Sequence, residues 1–208
     1  MRTPKLNSEL RASISEDRLS KYLAETRGDL DASICLYEKN MLLSESFYVS
    51  LQTLEVCLRN KLDAAMSQTY GADWLMNSHA APLSDFSRRL VNEAMPNIGS
   101  ELSHGKLVAE AKFAFWVGLV SKGYDQSLWR AACFKAFLAE GGKKRSMVHG
   151  RLNSIRRFRN RIAHHEPIFH KDIGRQHSEI IEAIQWMCRG TSAWAQHHSR
   201  TLIVLNSS

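Results

Sequence analysis

The sequence predicts an all-α protein, a single helical bundle of about six to eight helices, and three observations carry that expectation. Only four prolines and eleven glycines punctuate 208 residues, leaving long uninterrupted stretches. Apolar residues recur at three- and four-residue steps through most of those stretches. No alternating strand pattern of useful length, internal repeat or low-complexity tract interrupts them. The length suits one domain with its own core, divided as an arm at 1–12, a helical domain at 13–198 and a tail at 199–208.

Taken in order, Ser13 followed by Glu16 resembles a capping box, opening a helix that runs to Arg27 before Gly28 stops it. From Asp29 or Asp31 a helical region continues without Gly or Pro to Gly71. Within it Phe47, Leu51, Leu54, Leu58 and Leu62 form one apolar stripe, and its length predicts a break near Leu42–Ser44. Pro82 and Ser84 introduce a helix to about Met95, followed by a loop over 96–105. A helix over 106–121 carries Val108, Phe113, Phe115, Trp116 and Leu119, and another spans 124–139 before Gly141-Gly142. The spacing then predicts a helix over 146–165 with Leu152, Ile155 and Ile162 on one side. Pro167 disfavours helical geometry at Glu166, which places two histidines in the last turn. A final helix over 171–189 turns Ile173, Ile180, Ile181, Ile184 and Met187 inward. The tail, with its strand-like LIVL, has no partner strand and is expected to be loose.

Composition narrows the functional classes. No run of eighteen apolar residues is present, so no membrane partner is expected. MRTPKLNSEL has no apolar stretch behind its charges, so no secretory signal is expected either. Cys35, Cys57, Cys133 and Cys188 lie far apart among apolar residues, which reads as core thiols in a reducing, cytoplasmic compartment. The charge of +7 is unevenly spread. Lys143 to Arg161 holds eight basic residues and no acid, leaving a balance of −1 elsewhere. Such a segment is the footprint of a polyanion partner, or else a solvated helix face.

The chemistry-bearing residues concentrate in RRFRNRIAHHEPIF. On a helix Asn160 and His164 are one turn apart, as are Arg161 and His165. Arg159 lies about 140° around the helix from His164, so the two flank a common edge. An arginine grips phosphate with two parallel bonds, an imidazole moves protons near neutral pH, and an amide orients either. These are the parts of metal-free phosphodiester cleavage by a ribose 2′-hydroxyl, which confines the reaction to RNA. The helix C-terminus also favours protonated histidines. Against this stands the reading in which the histidines merely cap the helix, which leaves the arginine cluster unexplained.

Arg159-Asn160-x-x-x-His164 resembles the R-polar-x(3)-His signature of the HEPN superfamily of helical, largely ribonuclease domains. The longer string RNRIAHHEPI is similar to its Abi-like (abortive-infection) branch. The resemblance extends through LYEKNMLLSESFYVSLQTLEVCLRNKL (36–62) and FWVGLVS (115–121), and covers most of 15–190. It implies a bundle that dimerises with the signature helices facing each other across one RNA-cleaving cleft. It also implies a phage-defence or toxin role, with a neutralising antitoxin or regulatory partner in some members. By resemblance Arg159 stabilises the phosphate, Asn160 positions and His164 transfers protons, without cofactor or metal. Arg151, Arg156, Arg157, Arg161 and His165 are then RNA contacts. Glu55, Arg59 and Asn60 match a second recurring cluster, with a structural i, i+4 pair of Glu55 and Arg59 as the plainer reading.

Three alternatives remain. A non-catalytic RNA- or nucleotide-binding module would use the same arginines and need no titrating histidine. A metal-dependent hydrolase would draw on His164, His165, His170 and His177. No HExxH pattern occurs, however, and adjacent histidines diverge by about 100° on a helix. A purely structural dimerisation module leaves the charge concentration unexplained.

Overall fold

The computed structural model describes residues 3–77 and 79–207 and is all-α, with no strand among them. Among the described residues there are eleven α-helical segments, more than the sequence predicts because several expected helices are split, with longer connections over 71–84 and 119–144.

The chain opens with α1 (Pro4–Ile14) and α2 (Glu16–Glu25). Residues of the expected arm are thus helical, started by Thr3, whose hydroxyl accepts from the Leu6 N–H, and by Pro4 in the first turn. The cap between the two helices is Ser15 rather than Ser13: its hydroxyl accepts from the Arg18 N–H, while Ser13 donates to the Leu10 carbonyl inside α1. Gly28, at φ +85°, closes α2 as predicted.

Next come α3 (Leu30–Ser46) and α4 (Tyr48–Tyr70), which break at Phe47, later than the sequence suggests. Ser46 and Ser50 donate to the carbonyls of Leu43 and Phe47, which weakens the helical ladder there. Phe47 itself is fully buried, edge-on to Phe158 at 4.8 Å. After α5 (Asp85–Ile98), the expected helix over 106–121 becomes α6 (His104–Glu110) and α7 (Phe113–Gly118). The Ala111 carbonyl between them accepts from the Trp116 indole at 3.2 Å. The stretch over 124–139 is a succession of single 3₁₀ and π turns, in which Trp129 stacks on Phe137. Aromatic packing there overrides helix propensity.

α8 (Arg145–Ala163) carries the basic segment, and α9 (Ile173–Gln185), α10 (Arg189–His198) and α11 (Thr201–Asn206) complete the bundle. The LIVL tail is helical, packed on α3 and α9, with the Thr201 hydroxyl donating to the Ser46 carbonyl at 3.0 Å. A helix satisfies its own backbone, so no partner strand is needed. One continuous apolar core, centred on Leu54, Leu58, Leu62, Trp74, Trp116, Phe137, Leu152, Ile155 and Ile180, joins these helices. Cys57 and Cys133 belong to it, and burial pushes their thiols up to about 11 and about 12. Cys188 is half-buried, and Cys35 is exposed, contrary to its apolar sequence context. No helix among the described residues is long and apolar enough to cross a membrane.

Candidate functional site: a groove beside the end of α8

Val148, Leu152, Ile155 and Phe158 bury one face of α8, at the spacing the sequence predicts. Going around the helix from that face, Arg159 comes first, then Ala163 and Arg156, then Asn160, with His164 roughly opposite the core. Arg159 therefore sits at the boundary between core and solvent, with 41% of its side chain exposed.

The helix stops in a Schellman turn. The Glu166 N–H donates to the Arg161 carbonyl at 2.8 Å, and the His165 N–H to the Ile162 carbonyl at 3.0 Å. His164 is the cap, and His165 takes the left-handed position at φ +56°, where glycine is the usual residue. Such a conformation costs a non-glycine residue about 1 kcal/mol or more, so surrounding contacts must hold it. They do so at three points. Arg18 of α2 donates to the carbonyls of His164 and His165 at 3.0 and 2.9 Å. Arg161 donates to the Pro167 carbonyl at 2.9 Å and pairs with Glu166 at 3.3 Å. Asn40 of α3 accepts from the N–H groups of Ile168 and Phe169 at 2.7 and 3.2 Å.

The result is a groove of about 820 Å³ between α3, α4 and the end of α8. Tyr37, Asn40, Met41, Ser44 and Glu45 line it from α3, and Tyr48, Leu51, Gln52, Glu55, Val56 and Arg59 from α4. Arg159, Ile162, Ala163 and His165 complete it. The Arg159 and Glu55 side chains face each other at 3.8 Å, a loose pair with 29% of the Glu55 side chain exposed. Glu55 thus pairs with Arg159 and not with Arg59, as the i, i+4 spacing suggests. Arg59 instead donates to the Ala109 carbonyl at 3.2 Å, and its Nε is buried with no partner among the described residues.

The structure therefore gathers Arg159, His165, Glu55 and Arg59 at one groove. His164 and Asn160 do not line it: they continue around α8, His164 exposed and Asn160 half-buried. Asn60 is exposed on the far side of α4, in a second groove with Thr191, Trp194 and His198.

The basic run is acid-free in sequence but not in space. Arg145 donates to Asp125 at 2.8 Å and to the Val120 carbonyl. Arg151 pairs with Glu182 and lies over the Trp186 ring, with Lys143 also over that ring. Arg156 is folded onto the Asn153 side chain, and Arg157 is exposed. Sequence reasoning did not single out Arg18, Tyr37, Asn40, Tyr48 or Gln52. The spacing of Tyr37, Asn40, Met41 and Ser44 is the signal that could have found the α3 wall, because those residues share one helical face. Among the described residues no group of three or more His, Cys, Asp or Glu is arranged to hold a metal ion.

No protein-family description matches the chain, and no curated protein or solved structure is significantly similar to it.

Proposed function

We propose that the chain is a metal-independent endoribonuclease of HEPN type, with a phage-defence or toxin-like role. The observation that carries this reading is His165, held in a left-handed backbone conformation beside a loosely paired, half-exposed Arg159. Strain of that kind, clamped from α2 and α3, is characteristic of functional positions. The RNRIAHHEPI resemblance supplies the chemistry. An RNA strand at the mouth of the groove meets Arg159 with its phosphate, and an arc through the half-buried Arg156 and Asn160 leads round α8 to the exposed His164, about 140° from Arg159. The 2′-hydroxyl loses its proton to His164 as its oxygen bonds to phosphorus. The P–O5′ bond breaks as the departing oxygen takes a proton from water, to which His164 returns the proton it took, leaving a 2′,3′-cyclic phosphate and a 5′-hydroxyl. Arg159 stabilises the charge that builds on the phosphate oxygens.

In this reading two copies pair about a two-fold axis, bringing both signatures to one cleft, and a further protein restrains the activity in the cytoplasm. Arg157, exposed, is the cation most open to phosphates, Arg156 must first leave the Asn153 side chain, and Arg151 and Arg161 chiefly hold the bundle and the turn.

The test is single-turnover cleavage of labelled RNA in EDTA. His164→Ala lowers the rate by about two to four powers of ten while RNA affinity is largely kept. A silent His164→Ala beside an inactive His165→Ala reassigns the proton carrier to the groove. Folded variants of both that cleave at the parent rate would defeat the histidine mechanism, and a parent protein that leaves RNA uncut would defeat the nuclease reading. The off-groove position of His164 favours a second reading, a non-catalytic RNA- or nucleotide-binding module, in which the parent protein binds RNA and never cuts it.

A further inference from the structure

Asn40 is only 4% exposed, yet it lines the groove. Its carbonyl oxygen accepts two backbone N–H groups, from Ile168 and Phe169. Those bonds settle which end of the amide is which and fix its rotation. The oxygen is spent, and the Nδ2 group, without a protein partner among the described residues, keeps its access to the groove. A ligand acceptor that enters the groove therefore meets a donor whose orientation is already fixed, and loses nothing to reorganisation.

The surroundings indicate what that ligand is. Tyr37 forms one wall, held edge-on by the buried Tyr22 ring at 5.2 Å. Tyr48 stands at the rim, 67% exposed. Arg159 and Arg59 supply positive charge at the same groove, which Glu45 and Glu55 also line. Aromatic walls, an incompletely paired Arg159 and one fixed donor suit a flat heteroaromatic ring attached to a phosphate. A partner protein's apolar helix would instead bury the Asn40 donor unpaired.

We infer that the groove is a base pocket: it receives one unstacked RNA base beside the phosphate held by Arg159, and Asn40 selects that base. The sugar stays near the phosphate, so the edge entering deepest is the one furthest from the sugar. There uracil presents O4 and guanine O6, which accept from the Asn40 amide. Cytosine and adenine present amino groups at the same place, and two donors would face each other. The pocket therefore prefers keto bases. This specificity rests on the ribonuclease reading only for the step that follows binding.

The test uses 2′-O-methylated octamers of uridine and of cytidine, which lack the attacking hydroxyl, with fluorescence anisotropy as the readout. The parent protein binds the uridine octamer about ten-fold more tightly. Asn40→Asp keeps an oxygen for Ile168 and Phe169 and replaces the donor by an acceptor. It weakens the uridine octamer by about ten-fold and narrows or reverses the preference. A purely structural Asn40 would lower both affinities alike, and that result overturns the inference. Tyr48→Ala weakens both octamers about five-fold or more, and Tyr48→Phe restores them. Equal binding of the two octamers by the parent, or no binding at all, also overturns it. A keto preference that Asn40→Asp abolishes, with unmodified RNA left uncut, upholds the pocket and removes the nuclease.

Discussion

Near the start of α8, Arg145 donates to Asp125 at 2.8 Å and to a backbone carbonyl, and Arg151 is held between Glu182 and the Trp186 ring. Near its end, Arg159 faces Glu55 across 3.8 Å with much of its side chain open to solvent. Both halves belong to one acid-free run, so sequence alone treats them alike. Folding separates them by bringing acids from distant elements to the first half. There the guanidiniums fasten α8 to the bundle, and their hydrogen-bonding capacity is largely spent. At the second half a carboxylate is near enough to steady Arg159 and too far to saturate it. A basic segment is thus not a basic surface, and the residue left underused is the better candidate for a ligand.

The sharpest way to break that comparison is to exchange the two readouts. Arg159→Ala lowers the single-turnover cleavage rate by about 100-fold or more, since it removes a charge aimed at the reacting phosphate, and leaves thermal stability nearly unchanged. Arg145→Ala does the converse. It costs about 1–2 kcal/mol of stability by stranding a part-buried Asp125 contact, with cleavage per folded molecule unaltered. Urea unfolding and kinetics on both variants check the pair. Equal losses of activity would mean that the two halves share one role.

A smaller effect concerns the turn. His165 sits where glycine is unstrained, so His165→Gly raises stability by up to about 1 kcal/mol, a few degrees in Tm for a chain of this size. The same substitution removes an imidazole from the groove and weakens RNA binding. Stability gained with function lost marks a strained functional position. A variant less stable than the parent would show that the histidine side chain supports the turn instead.

These residues also show how far the sequence could be read. The buried face of α8 follows directly from periodicity, as does the end of the helix before Pro167, because both depend on neighbours three to five residues away. The sequence grouped Arg159 with Asn160 and His164, whereas the groove holds Arg159 with His165, which the left-handed turn takes off the helix. The partners of that turn were not legible. Asn40 reaches the turn from α3, Arg18 from α2 and Glu55 from α4, and nothing local encodes those approaches. The split helices between 104 and 139 were missed for a different reason. Their breaks accompany ring contacts made within the segment, the Trp116 indole to the Ala111 carbonyl and Trp129 to Phe137, which helical periodicity does not mark.

The smallest predicted effect separates the buried histidine of α9 from the exposed pair at the end of α8. His177 is buried in α9, its Nε2 2.9 Å from the Ser199 hydroxyl, and burial holds its pKa below the ordinary 6.5. The unfolded chain therefore binds a proton at a pH where the folded protein does not. The stabilisation is fully present above about pH 6.5 and is lost as pH falls toward the lowered folded value, at no more than about 1.4 kcal/mol per pH unit. His149 in the first half of α8 shifts the same way, through burial first and then Arg145 and Arg156. His170 does so as well, chiefly through burial, so the slope has several sources. Urea midpoints measured from pH 7.5 to 5 should show the parent weakening on the acid side. His177→Gln, which has no imidazole to charge, should weaken less steeply over the same range. A variant with the parent's slope would assign the acid sensitivity to His149 and His170 and leave the α9 histidine a neutral packing residue.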